Sequence, residues 1–109
     1  MAIADLDFTP PKGAQAAAAR GLELRRKHGR GGTAVGVARA RDLSNGKAMS
    51  PETIRRMVSF FARHEKNKAG GEDDAGRIAW LLWGGDPGQR WASKMSEQIK
   101  RQSDRIDPG

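Results

Sequence analysis

The sequence predicts one all-α domain of about five helices, and three features of the chain support that fold class. Apolar side chains recur at helical spacing, no stretch alternates with the period of two that a strand requires, and glycine or proline divides the chain into helix-sized segments. A chain of 109 residues forms one modest core but not comfortably two. We expect a flexible N-terminal arm over 1–9 and a single helical domain over 10–106.

The first predicted helix follows Pro10-Pro11 and runs to about His28. Alanine and other strong helix formers fill it, and Gly29 suits the left-handed position that ends many helices. Small side chains recur along this helix at helical spacing, which would let another helix approach closely. These small residues are Ala14, Ala17, Ala18 and Gly21.

The second predicted helix covers about 34–43, with Thr33 as its cap. The clearest helix start in the chain is Ser-Pro-Glu at 50–52, which combines a capping hydroxyl, a proline in the first turn and an acid near the positive end of the helix dipole. This third helix is expected to run to about Lys68. Its apolar stripe consists of Ile54, Met57, Val58 and Phe61.

The fourth predicted helix, about 73–83, is apolar around most of its circumference, so we expect it to be central and buried. The acids of 72–74 suit the N-terminal end of its dipole, and the glycines at 84–85 end it. A fifth helix is predicted over about 87–105, with the Asp-Pro pair at 86–87 as its start. Its apolar residues at spacing four are Trp91, Met95 and Ile99.

The three tryptophans, Trp80, Trp83 and Trp91, allow two interpretations. Exposed indoles act as stacking platforms for single-stranded nucleic acid. The apolar stretch that surrounds them favours packing in the core instead.

The net charge of +7 is unevenly distributed along the chain. Residues 12–41 carry eight Lys or Arg and a single acid, Glu23. A localised positive field favours an anionic partner, nucleic acid first and an acidic protein surface or lipid second. The alternative is a solvated basic face with no partner.

Catalytic and metal-binding patterns are missing from the sequence. The chain has no cysteine, and its two histidines, His28 and His64, lack the neighbouring residues of a metal-binding or nucleophilic motif. No apolar run approaches the roughly 20 residues that cross a bilayer. The acidic N-terminus does not resemble a signal peptide. We therefore expect a non-catalytic protein with no metal, no cofactor and no membrane partner.

Two groups of residues are candidate phosphate contacts in the basic half. The first group is Arg25, Arg26, Lys27, Arg30, Arg39 and Arg41. The second is the loop before the second helix, because N–H groups at a helix N-terminus hold phosphates and glycines let a backbone come close. This anion-binding candidate consists of Gly31, Gly32 and Thr33. An ordinary hinge between helices explains the same loop equally well.

The second and third predicted helices also suggest a helix–turn–helix pair, in which the N-terminal part of the second member contacts base edges. The side chains with suitable chemistry there are Thr53, Arg55, Arg56 and Ser59. The turn of about six residues is longer than the usual 3–4. Two core helices with a charged outer face remain an equally good interpretation.

Several segments together resemble a small module of tailed-phage genomes. They are RGLELRRKHGRGGT at 20–33, GVARARDL at 36–43, SPETIRRM at 50–57, FFARHE at 60–65 and GRIAWLLWGG at 76–85. The resemblance covers about 12–92. That module occurs alone or joined to other phage proteins, including capsid-assembly proteins, so the resemblance implies phage DNA handling or head assembly and assigns no site residues.

Together these observations predict a phage-associated protein of the host cytoplasm or the virion that binds nucleic acid, double-stranded DNA first, through its basic N-terminal half. The alternative is a protein–protein module of phage head assembly, or a phage-encoded protein that docks on an acidic partner.

Overall fold

The computed structural model describes residues 6–106, except for the side chains of Lys68 and residues 103–106. Within that part of the chain there is no strand, and the α-helices are α1 Lys12–His28, α2 Ala34–Ser44, α3 Pro51–Arg63, α4 Ala75–Leu82 and α5 Gly85–Ile106. A 3₁₀ helix, Glu65–Ala69, lies between α3 and α4. The predicted all-α fold of about five helices is confirmed.

Helix α4 is the centre of the fold. It packs against α1, α2, α5 and the 3₁₀ helix, and the side chains of Ile78, Trp80 and Leu82 are fully buried. A helix this apolar has no stable position except inside the core. The prediction of a central, buried fourth helix is confirmed.

Helix α4 begins slightly later than the predicted boundary of 73 because Asp74 is its N-cap. The Asp74 carboxylate accepts a hydrogen bond from the backbone N–H of Arg77 at 2.9 Å, which satisfies one of the free donors in the first turn. Glu72 and Asp73 therefore precede the helix.

Close contact between α1 and α4 depends on the small residues of α1. Ala14 and Ala18 are fully buried. A Cβ atom built at Gly21 would lie 2.8 Å from the backbone nitrogen of Leu82, so the two backbones nearly touch. The small residues do admit a neighbouring helix, as predicted, and that neighbour is α4.

One predicted helix end and two predicted helix starts are present in the structure. Gly29 ends α1 in the left-handed conformation, with φ 65°. The Thr33 hydroxyl accepts a hydrogen bond from the N–H of Gly36 at 3.2 Å at the start of α2. The Ser50 hydroxyl accepts from the N–H of Thr53 at 3.1 Å at the start of α3. All three predictions are confirmed.

The third helix is shorter than predicted. Helix α3 ends at Arg63 instead of about Lys68, and the chain continues as the 3₁₀ helix. The backbone leaves the helical conformation at His64. The ring of His64 stacks on Phe60, with ring centroids 4.6 Å apart. The Asn67 amide nitrogen lies 3.1 Å from Nδ1 of His64, which holds the new turn in place.

The fifth helix starts earlier than predicted, at Gly85. The N–H of Gly88 already donates to the carbonyl of Gly84 at 2.9 Å, so the helical pattern begins before the Asp-Pro pair. Asp86 is not the cap that the sequence suggested, because its carboxylate accepts a hydrogen bond from the Trp80 indole at 2.8 Å.

Aromatic rings of α3, of α4 and of Trp83, the residue that ends α4, pack together in the core. Phe60 and Trp83 stack with centroids 4.7 Å apart, and Phe61 meets Trp80 edge to face at 4.8 Å. Trp80 is fully buried and Trp83 is 8% exposed, so packing in the core is confirmed for these two. Trp91 is only half-buried.

The predicted apolar stripe of α3 faces this core. Ile54, Met57 and Phe61 are buried, whereas Val58 is half-buried, at the edge of the stripe.

The segment before α1 lies against the body of the protein. Leu6 and Phe8 pack on the core, and the Phe8 carbonyl accepts a hydrogen bond from the N–H of Met49 at 3.0 Å. Pro10 is buried. The part of the predicted flexible arm after residue 5 is therefore docked, and residues 1–5 lie outside the described residues.

Candidate nucleic-acid interface

Three arginines from two helices line one open groove, which we call the arginine groove. Arg25 and Arg26 come from α1, Arg41 comes from α2, and the groove has a volume of about 210 Å³. Leu22 and Val37 complete its lining. No acidic residue lines it, so its positive charge is not neutralised locally.

The groove exists because α1 and α2 pack side by side and the chain reverses between them. The Arg25 Nε group donates a hydrogen bond to the carbonyl of Gly31 at 3.0 Å, which ties this side chain to the connecting loop. Arg26 and Arg41 are exposed, and within the described chain neither side chain has a hydrogen-bond or ion-pair partner. The groove therefore presents two free guanidinium groups and one that is anchored.

The connecting loop is held tightly against α4. Gly31 and Gly32 have φ values of 102° and 73°, which a side chain tolerates poorly. A Cβ at Gly31 would lie 2.5 Å from Ile78 Cγ2, and one at Gly32 would lie 2.5 Å from Leu82 Cδ1. Packing on α4 thus explains both glycines. Anion binding at Gly31, Gly32 and Thr33 stays a prediction.

Arg39 does not join the groove. Its side chain is 16% exposed, with Nη1 3.7 Å from the Asp42 carboxylate, and its guanidinium carbon lies 5.9 Å from the Trp83 ring centroid. This arginine covers the edge of the core and has little surface to offer a ligand.

The other candidates of the basic half, Lys27 and Arg30, are exposed but do not line the groove. Arg56 on α3 forms an ion pair with Glu52 at 2.8 Å. Arg55 is exposed on the same helix, which packs mainly against α5.

Helices α2 and α3 do not form the compact pair that a helix–turn–helix requires. α2 packs chiefly against α1 and α4, whereas α3 packs chiefly against α5. Thr53 is occupied at the cap of α3, where its hydroxyl accepts a hydrogen bond from Ser50 at 2.9 Å, and Ser59 is exposed. The arrangement instead matches two core helices with charged outer faces.

Two features of the interface were missed by sequence reasoning. The first feature is the apolar lining from Leu22 and Val37, which depends on the packing of α1 on α2. The only indication in the sequence is that the two residues lie near Leu24 and Gly36. Arg20 pairs with Glu72 at 3.1 Å, and no local pattern could indicate a partner so distant in sequence. Arg20 also pairs with Glu23 at 2.9 Å, so both of its terminal nitrogens are engaged by acids.

Among the residues that the structure describes, no three His, Asp or Glu side chains lie close enough together to hold a metal ion. No helix in the same range is long and apolar enough to cross a bilayer. Comparison of the chain with family models, with curated proteins and with solved structures gave no match.

Proposed function

We propose that this is a non-catalytic, phage-associated protein that binds double-stranded DNA by contacting backbone phosphates in the arginine groove. The observation that carries the proposal is the convergence of Arg25, Arg26 and Arg41 on a groove with no acidic lining. Arginine is suited to this role because its planar fork of donors matches two phosphate oxygens at once.

The charge of the whole chain supports the same partner. A net charge of +7 attracts a polyanion over long range and speeds encounter with it. Phosphate contacts of this kind position a protein on DNA and carry no sequence information. The proposed binding is therefore independent of base sequence.

The phage setting rests on the resemblance described above, and the host cytoplasm or the virion is the corresponding location. Phage DNA is present in both places.

The test is a titration of a duplex of about 20 base pairs at salt concentrations from about 50 to 200 mM. Each phosphate neutralised contributes about −0.9 to the slope of log affinity against log salt, so two or three contacts give a slope of roughly −2 to −3. Arg26→Gln and Arg41→Gln should each reduce the magnitude of that slope by about one. Lys66→Gln removes one exposed positive charge of the 3₁₀ helix, which does not line the groove, and should leave the slope unchanged. Absence of duplex binding at low salt would overturn the proposal.

A second candidate function is docking of an acidic protein partner, as expected of a phage head-assembly module. The apolar side chains of Leu22 and Val37 in the arginine groove favour it, because they give a protein side chain a surface to bury. This function predicts that Val37→Ser weakens partner binding, whereas phosphate binding predicts no change in DNA affinity for the same variant.

A further inference from the structure

A second surface of the protein combines an accessible indole with unpaired positive charge. It is a depression of about 330 Å³ where the start of α1 meets the first turns of α5, and it is lined by Pro11, Pro87, Arg90, Trp91 and Lys94. We call it the Trp91 surface. The two helices are in close contact here, since a Cβ at Gly13 would lie 3.0 Å from Pro87 Cβ. The base of the depression is therefore formed by closely packed residues of both helices.

The indole of this surface differs from the other two. Trp80 and Trp83 are buried in the core, whereas Trp91 packs on the core with one part and lines the depression with another. A half-buried ring of this kind is held in place by the protein and still has area for a ligand to cover.

The charges beside Trp91 are available to a ligand. Arg90 and Lys94 are exposed and lie one turn apart on α5, and neither has an ion-pair or hydrogen-bond partner within the described chain. Asp86, one turn before Arg90, binds the Trp80 indole through its carboxylate. No acid lines the depression.

We propose that the Trp91 surface binds single-stranded nucleic acid, with an unpaired base stacked on the Trp91 ring and the adjoining phosphates bound by Arg90 and Lys94. Proteins that hold single strands combine aromatic rings, on which any base stacks, with cations that follow the backbone. The acidic side chains of a peptide would bind the two cations but offer no ring to the indole, whereas every nucleotide supplies both a phosphate and a base, so the ring favours nucleic acid. The proposal concerns another surface and another form of nucleic acid than the arginine groove.

The test is the binding of a fluorescein-labelled oligo(dT) of about 12 nucleotides, followed by anisotropy at low salt. We expect Trp91→Ala to weaken binding about tenfold or more, because the stacking contact is lost. Trp91→Phe keeps an aromatic ring and should retain most of the affinity. The double variant Arg90→Gln/Lys94→Gln should weaken binding and flatten its salt dependence. Lys100→Gln, on the same helix but outside the depression, is the matched control and should bind as the wild type does.

The duplex titration separates this proposal from the proposed function. Trp91→Ala and Trp91→Phe should bind duplex as the wild type does, whereas Arg26→Gln and Arg41→Gln should weaken duplex binding. Failure of the wild-type protein to bind duplex, with its oligo(dT) binding intact, overturns the role of the arginine groove alone. Unchanged oligo(dT) affinity in Trp91→Ala and in the double variant overturns the Trp91 surface alone. Equal binding of poly-glutamate and oligo(dT) also overturns it, because such a surface would recognise charge without stacking.

Discussion

The indole N–H of Trp80 donates a hydrogen bond to Oδ1 of Asp86 at 2.8 Å. Trp80 is fully buried, so this bond satisfies the one polar group of the largest side chain in the core. A carboxylate acceptor makes it stronger than a bond between neutral groups. The bond also joins α4 to the first turn of α5 and gives Asp86 a role other than capping.

Asp86→Ala should therefore lower the free energy of unfolding by about 1–3 kcal/mol, because a buried N–H is left without an acceptor. Asp86→Asn retains an acceptor oxygen and should cost less. Urea unfolding followed by circular dichroism measures both. Asp73→Ala, an exposed acid just before α4, is the control, and a similar loss in that variant would remove the special role of the Trp80 bond.

Gly21→Ala should destabilise the protein although alanine is the better helix former. The helix-propensity gain of about 1 kcal/mol is smaller than the cost of separating two backbones, since the added Cβ would lie 2.8 Å from the Leu82 nitrogen. We expect a net loss of about 1–3 kcal/mol in thermal or urea unfolding. Gly71→Ala, whose nearest atom would be Asp73 Oδ1 at 3.6 Å, should be close to neutral. A more stable Gly21→Ala would contradict the close packing of α1 on α4.

The loop glycines differ in why each of them is needed. Gly29 has φ 65° and no atom within 4 Å of the point where a Cβ would lie, whereas Gly31 combines φ 102° with a Cβ position 2.5 Å from Ile78. Gly29→Ala should cost about 1 kcal/mol, the penalty of the left-handed conformation alone, and Gly31→Ala should cost clearly more. Thermal unfolding of the two variants measures the difference. Equal losses of stability would show that Gly31 is not packed on α4.

Ser50→Ala should cost about 1 kcal/mol in stability, because the N–H of Thr53 loses its capping acceptor. DNA affinity should not change, since Ser50 lies outside the arginine groove. Ser93→Ala, at an exposed serine within α5, is the matched control and should leave the melting temperature unchanged or slightly higher, because alanine is the better helix former. If the two serine variants melt alike, the hydroxyl of Ser50 does not stabilise α3.

Arg39→Gln should lower stability by about 1 kcal/mol through loss of its contact with the Trp83 ring and of its ion pair with Asp42. It should leave the salt dependence of DNA binding unchanged, because this side chain is largely buried. The comparison is with Arg41→Gln, two residues further along α2. That variant should reduce the salt slope of DNA binding and leave stability nearly unchanged. A reduced salt slope in Arg39→Gln would place Arg39 in the interface after all.

The sequence was sufficient for the features that depend on neighbouring residues. The caps at Thr33 and Ser50 and the left-handed Gly29 use atoms within four positions, so the residue types alone predict them. The burial of α4 also followed from its sequence, because a helix that is apolar around most of its circumference has to be covered.

Features that depend on distant residues were not predictable in this way. Asp86 precedes a proline, as a helix cap often does, but its carboxylate accepts a hydrogen bond from Trp80. Helix α5 already starts at Gly85. In the sequence, Arg39 and Arg41 belong to one charge cluster. Residues two apart on a helix nevertheless lie on nearly opposite faces, about 160° apart around the helix axis. Only the packing of α2 on α1 and α4 determines that Arg41 faces solvent while Arg39 covers the core.

The loop at 29–33 packs on α4 through Gly31 and Gly32. This packing connects the α1–α2 hairpin, which carries the arginine groove, to the centre of the core. Contacts between α1 and α2 are local in sequence, so closing this helical hairpin costs little chain entropy. Its final shape nevertheless depends on Ile78 and Leu82 beneath the loop. A transient opening of α4 would remove the support beneath Gly31 and Gly32, and the Arg25 side chain is hydrogen-bonded to Gly31. If DNA binds in the arginine groove as proposed, it should slow amide hydrogen exchange in α4, although no residue of α4 lines that groove.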